Sequence, residues 1–427
     1  MSDTIDAGRR VRPRRRRLGA RFRRHPLRTT VAIGLAALLV WLAVSLGSAL
    51  TDQALGNSAS ARFAEWAREH GASGIVNWAE NEWYSHHPPP VGGRPPAGAI
   101  RRPRSVPVAA AAAAAATPAH LPAPPAITPV VSPAIPGEGQ WSPAGRLVGG
   151  VPAVYVTTLR PDPIHTSYVV GAAWMDTKLL RATLYSGSQI PGGGPYRYSA
   201  PISPTAAGSL VAAFNAGFLM SSATGGYYTD GRAVLPLRVG AASFVVYADG
   251  NSTVGSWGTD VTMTPDVVSV RQNLDLLVDN GQPVAGLNAA DTTRWGATLG
   301  NAVYVWRSGL GVTADGALVY IGGPGLNITD LADLFSRAGA VRAMELDINT
   351  DWVNFASYAP ATPTGPATPE NGIDLLPGMV GTPGRYFDSW WARDFITMSS
   401  SSPSLSPSPS PSPSSAGAKK LQVTRTT

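Results

Sequence analysis

The stretch "NAVYVWRSGLGVTADGALVYIGG" (residues 301–323) decides the fold of this chain. Two apolar runs rich in β-branched and aromatic residues flank Asp315-Gly316, and an Asp-Gly pair so placed is the strongest short-range signal for a β-hairpin. Asp249-Gly250 and Asn280-Gly281 repeat the pattern between further apolar runs. Downstream, "NITDLADLFSRAGA" predicts one helix. Asn327 or Thr329 caps it, Leu331, Leu334, Phe335 and Ala338 form one stripe, and Gly339 closes it. Many short strands with Gly-rich turns and few helices imply an α+β domain with a mixed or mostly antiparallel sheet.

The predicted helix leads directly into "MELDINTDW" (residues 344–352). A strand turns alternate residues to one face, so Glu345, Asp347 and Asn349 point one way while Met344, Leu346 and Ile348 point the other. Like charges so placed repel each other unless a cation, a proton or a substrate lies between them. Taken alone, the stretch reads as a half-exposed strand whose polar face is wet.

Outside this region the composition changes in blocks. Of the 427 residues, 34 are Lys or Arg and 27 Asp or Glu. Residues 1–28 hold eleven arginines and two acids, which leaves 23 basic against 25 acidic groups elsewhere. The basicity belongs to a short arm and gives no reason to expect nucleic acid as a partner. Residues 29–51, "TTVAIGLAALLVWLAVSLGSALT", carry no charge. As a helix they reach about 34 Å, enough to cross a ~30 Å hydrocarbon core. A cleavable signal peptide is the competing reading, but the run is longer than a usual h-region. The arginine flank predicts a single-pass span in the cell membrane, with the N-terminus cytoplasmic and the main domain extracytoplasmic. The absence of cysteine excludes disulfides and thiolate chemistry, and in an outward-facing chain suggests a bacterial source.

Residues 52–87 read as an amphipathic juxtamembrane segment, broken at Gly71 and Gly74. Residues 88–140 are Pro- and Ala-rich and read as a linker, residues 141–398 as the folded domain, and residues 399–427 as a disordered Ser/Pro tail. His165 and the His86-His87 pair lack partners at ligand spacing, so no metal or cofactor is assigned. Acids alone would admit only an oxygen-ligated Ca2+.

Four stretches carry the chemistry: "AAFNAGF" (212–218), "WRSGLGVTADG" (306–316), the 344–352 stretch, and "RYFDSWWARDFITM" (385–398). In this order they resemble the phosphodiester glycosidase family. Its pattern is Asn-Gly-Gly-Phe-Phe, then Arg-Thr-Ala-Ile-Gly with an Asp-Gly turn, a helix, and Leu-Asp-Gly-Gly-Gly-Ser. Here the matches are Asn215 to Phe218, Arg307 to Gly311, Asp315-Gly316 and Leu346-Asp347, while Ile348-Asn349-Thr350-Asp351 stands in place of Gly-Gly-Gly-Ser.

The resemblance implies hydrolysis of sugar-phosphate linkages, here of envelope glycans. Such a cleavage needs a carboxylate to stabilise an oxocarbenium-like transition state and a planar cation or amides to hold the phosphate. Asp347, Glu345 and Arg307 are the catalytic candidates: Asp347 as base or stabiliser, Glu345 sharing its proton, Arg307 clamping phosphate. Asn215, Gly217, Asn349 and Asp351 are the substrate-binding candidates. Against this, Arg307 pairing with Glu345 or Asp347 in a sheet-face ion pair, and Asn215 capping a turn, are the structural readings of the same residues. The alternative function is a non-catalytic glycan-binding protein of the cell wall or exopolysaccharide.

Overall fold

The computed structural model describes residues 26–56, 58–86, 89–102, 119–288, 290–296, 303–379 and 382–401. The arginine arm up to residue 25 and the Ser/Pro tail beyond residue 401 lie outside the described residues. The chain divides into two compact units, Met1–Gly71 and Ala72–Thr427.

In the first unit, helix Pro26–Thr51 contains a 24-residue run, Arg28–Thr51, with mean hydropathy 2.2, long and apolar enough to cross a membrane. A second helix, Ala59–Ala67, is capped by Ser58 and folds back on the first. Arg62 donates to the carbonyl of Leu50 at 2.9 Å, which satisfies a terminal acceptor of the long helix. The Trp66 indole donates to Ser45 Oγ at 3.0 Å. The break falls at Gly71, where φ is +81°, whereas Gly74 lies inside the next helix, Ser73–His86.

The second unit is built from three sheets whose strand ladders are all antiparallel among the described residues. The largest has eight strands in the order Ser142–Val148, Val151–Leu159, Val170–Met175, Leu318–Leu326, Val305–Thr313, Ala340–Glu345, Leu276–Asp279 and Gln282–Pro283. The expected hairpins are present. Asp315-Gly316 joins two central strands, and Asn280-Gly281, with φ of +49° and +76°, makes the two-residue turn that matches strand twist. A five-stranded sheet runs Gly372–Asp374, Phe355–Tyr358, Leu210–Asn215, Phe395–Ser400 and Leu180–Tyr185. A second five-stranded sheet runs Arg232–Leu235, Tyr227–Thr229, Val267–Gln272, Ala242–Tyr247 and Ser252–Ser256.

Alternation along the strands sorts the core into two layers. Ala173, Met175, Leu318 and Tyr320 face Phe214, Phe355, Ile396 and Phe244 of the smaller sheets. Ala172, Trp174, Val319 and Ile321 face the other way, onto Leu331, Leu334 and Phe335 of helix Ile328–Arg337. That helix opens on an Asn327–Asp330 capping box and ends at Gly339.

The described parts of the expected linker differ from a free tether. Leu121 and Ile127 are buried in the helix-side layer and Ile100 in the inter-sheet layer. Glu138 pairs with Arg160 at 2.7 Å, both enclosed, and Leu121 N donates to Asp176 at 2.7 Å. Proline alternating with large aliphatic residues produces an extended segment that packs as an outer layer. Residues 103–118 of the same stretch lie outside the described residues.

Candidate active site

The site forms where three chain segments end side by side. Strand Leu210–Asn215 pairs Asn215 with Phe395, and beyond that pair Ala216 N donates to the Asp394 carbonyl at 3.2 Å. On the other side Asp347 N donates to the Ala216 carbonyl at 3.1 Å. Asp347, Ala216 and Asp394 are therefore backbone neighbours, although regular strand pairing stops at Glu345 on one side and Phe395 on the other. The backbone ahead of Asp394 is held by the loop after residue 186, with Ser188 N donating to Trp391 O at 2.8 Å and Ile190 N to Ala392 O at 2.9 Å.

The polar face of 344–352 is not wet. Glu345 is fully buried and Asp347 is 5% exposed. The half-exposed reading fails because helix Ile328–Arg337 covers the face on which Glu345 lies: Gly309, opposite Glu345, directs its missing side chain at Phe335, 2.6 Å from where a Cβ would stand.

Arg307 is also buried. Its Nη1 donates to Glu345 Oε1 at 2.5 Å and its Nε to Leu326 O at 3.2 Å. The ion-pair reading of Arg307 thus describes its contacts. Burial pushes the Glu345 carboxyl up to about 7 against the pull of Arg307, and the charge of Asp347 adds to the rise. Only one of its oxygens is bonded; Oε2 has no hydrogen-bond partner.

Asn215 uses its side chain within the protein. Its Nδ2 donates to Ser308 Oγ and to Ala216 O, both at 3.0 Å, and its Oδ1 accepts from Tyr320 Oη at 2.9 Å and from Asn354 N at 3.0 Å. Ser308 Oγ in turn donates to Asp347 O at 2.6 Å. Asn215 is bonded at two donors and two acceptors, so it holds Asp347 in place rather than reaching outward. Gly217 likewise admits protein: a Cβ there would lie 2.9 Å from Asn273 Oδ1 and 3.0 Å from the Arg271 guanidinium.

The segment that replaces the family's glycines is a pair of Asx turns. Asn349 N donates to Asp347 Oδ1 at 2.9 Å, and Asp351 N donates to Asn349 Oδ1 at 2.8 Å. Two polar side chains fix a course that glycine would leave open. Asp347 is held by burial above its ordinary range, opposed by the charge of Arg393 and by the Asn349 amide, and pushed further by Asp394.

All seven expected residues join one contiguous network, but four others belong to it. Arg271 bonds Asp394 at 2.6 Å and also donates to Phe218 O; Asn273 donates to Glu345 O at 2.8 Å. Arg393 lies with its guanidinium 4.6 Å from the Trp352 ring centroid. The available sequence signal was charge inside apolar runs, in "VVSVRQNLDLLV" (residues 267–278) and "WWARDFITM" (residues 390–398). No cluster of three or more His, Asp or Glu suited to a metal occurs among the described residues.

A mostly antiparallel β domain with a buried carboxylate at the head of its strands is the class that fold and site define. Residues 208–347 match the model of the phosphodiester glycosidase family. No curated protein matches the chain. Among solved structures it is similar to the catalytic domain of zebrafish N-acetylglucosamine-1-phosphodiester alpha-N-acetylglucosaminidase, auto-inhibited by its pro-peptide, at 14% identity and TM-score 0.38, covering 62% of this chain and 88% of that one. It is also similar to a hypothetical protein from Synechocystis, at 12% identity and TM-score 0.33, covering 59% and 63% respectively.

Proposed function

We propose that this protein is a hydrolase of sugar-1-phosphodiester linkages in glycans of the cell envelope. In this reading helix Pro26–Thr51 anchors it in the membrane, with the N-terminus cytoplasmic and the β domain outside. The observation that carries the proposal is Asp347, a buried carboxylate at a strand end whose side chain accepts from the Asn349 amide, raised in pKa by burial and acted on by the charges of Arg393 and Asp394. A carboxylate so held is more basic than an ordinary aspartate, which suits it to take a proton and to stabilise positive charge.

In the reaction the bond between the anomeric carbon and the phosphate oxygen breaks, and the phosphate leaves with the electron pair. Asp347 stabilises the charge that develops on the anomeric carbon and ring oxygen, and takes a proton from the water that adds there. The products are the free sugar and the phosphate monoester. Glu345 and Arg307 support Asp347 from below without touching substrate.

Release of reducing sugar from N-acetylglucosamine-1-phosphodiesters by wild type, and its loss in Asp347→Asn with the fold intact, is the test. The two Asx turns in place of the family's glycine run favour the second reading, a glycan-binding protein without turnover. Ligand-raised melting temperature without sugar release would select it. Equal ligand-induced shifts in wild type and Asp347→Asn would end both.

A further inference from the structure

We propose that Arg393 is the phosphate-binding group of this site, a single guanidinium fork that takes the oxyanion of the substrate's phosphodiester. The inference rests on the sugar-phosphate reading above and names the residue that recognises the phosphate.

Arg393 is 9% exposed, and it donates no hydrogen bond to any described residue; its Nη1 is fully enclosed without a partner. The other buried arginines behave differently. Arg307 and Arg271 bond carboxylates, as does Arg160, while Arg146 and Arg385 each donate to a backbone carbonyl even though Nε of Arg146 and Nε and Nη2 of Arg385 are enclosed without partners. An enclosed guanidinium with no acceptor is costly unless an anion completes it.

What holds Arg393 in place leaves its donors free. The guanidinium lies over the Trp352 indole, and Trp352 is itself buried edge-on against Trp391 with centroids 5.2 Å apart. A cation held by a ring face is oriented without using an N–H, so the fork keeps the geometry that matches two phosphate oxygens. The charge of Arg393 acts on Asp347, yet the two form no salt bridge. A group that binds between them would present its phosphate to the arginine and its anomeric carbon to the carboxylate. Arg307, by contrast, is already bonded to Glu345 on the helix-covered face.

Calorimetric titration of the full chain with inorganic phosphate, at constant ionic strength set with chloride, tests the assignment. Wild type takes up one phosphate. Arg393→Met, which keeps the side-chain length over Trp352 and removes the charge, weakens that uptake at least tenfold, and Arg393→Lys falls between them. No phosphate uptake by wild type, or equal affinity in Arg393→Met, overturns it. Should Arg393→Met lose its cooperative melt, Arg393→Lys decides, and affinity equal to wild type overturns the fork. Arg393-dependent phosphate uptake without any sugar release leaves this assignment standing and ends the hydrolase reading. Turnover of the phosphodiester by Arg393→Met at wild-type KM does the reverse.

Discussion

Arg307 and Glu345 share a 2.5 Å charged hydrogen bond between neighbouring strands, Glu345 standing opposite Gly309 and Arg307 two positions before it, with both side chains closed off from water. Such a pair is costly to split because the survivor remains buried and charged. Arg307→Met should therefore lower unfolding free energy by about 3–5 kcal/mol, while Arg307→Met with Glu345→Leu recovers most of it. Urea melts of the two single variants and the double variant measure the coupling. Additive losses would show that the bond does not hold the strands in register.

The same carboxyl makes stability depend on pH. Its value rises from the ordinary 4.5 to about 7, so the native chain holds more protons than the unfolded chain across that interval. The contribution is therefore complete below about 4.5 and is lost as pH rises to 7. Asp330 and Asp374, both raised by burial to about 6, act in the same direction. Glu345→Gln, whose amide oxygen still accepts from Arg307, should flatten the decline between pH 4.5 and 7 by about 3 kcal/mol relative to wild type. Chemical denaturation across that range measures it, and parallel curves would contradict the raised value.

Gly217 gives a packing prediction. A methyl group there meets Asn273 Oδ1, which accepts from Phe218 N at 3.0 Å, and the Arg271 guanidinium, which is tied to Asp394. Neither neighbour is a loose end. Gly217→Ala should cost about 1–3 kcal/mol. An unchanged melting temperature would mean that the Arg271–Asp394 pair yields more readily than its bonding implies.

The Pro-rich segment before the domain should be needed for stability. A fragment of residues 141–401 lacks Leu121, Ile127 and Glu138, and leaves Arg160 buried without its carboxylate. It should melt well below a fragment of residues 89–401, or aggregate. Equal melting temperatures would return residues 89–140 to the role of a tether.

The hairpins and the capped helix were legible because their signals are local. An Asp-Gly or Asn-Gly pair between apolar runs fixes a turn within a few residues, and Asn327 bonds a backbone amide three positions on. The order of Asn215, Arg307 and Asp347 was legible as a family pattern, and the seven candidates do converge. Their division of labour was not. Whether Arg307 faces a ligand or Glu345 depends on which layer covers that side of the sheet, and the helix that covers it precedes the strand in the chain without announcing its docking face. Arg393 was missed for the complementary reason. Nothing in "WWARDFITM" distinguishes a buried arginine without acceptors from an exposed one until strand Phe395–Ser400 is placed beside Asn215. The Pro-rich segment misled because composition reports the difficulty of forming helix or sheet, and packing in extended form needs neither.

Strand Phe395–Ser400 lies between Leu210–Asn215 and Leu180–Tyr185, in the interior of its sheet, with Arg393 and Asp394 at its head. A ribosome makes this strand after every other strand of the domain, and the two it joins are more than 170 residues upstream. Until it emerges, those two strands face a gap, Ala216 has no Asp394 beside it, and Arg271 has no carboxylate to pair with. Nascent chains stalled before residue 393 would thus carry a nearly complete domain with no anion-binding arginine. Assembly of the site therefore waits for the last strand of the domain, brought in by long-range pairing that is slow to form.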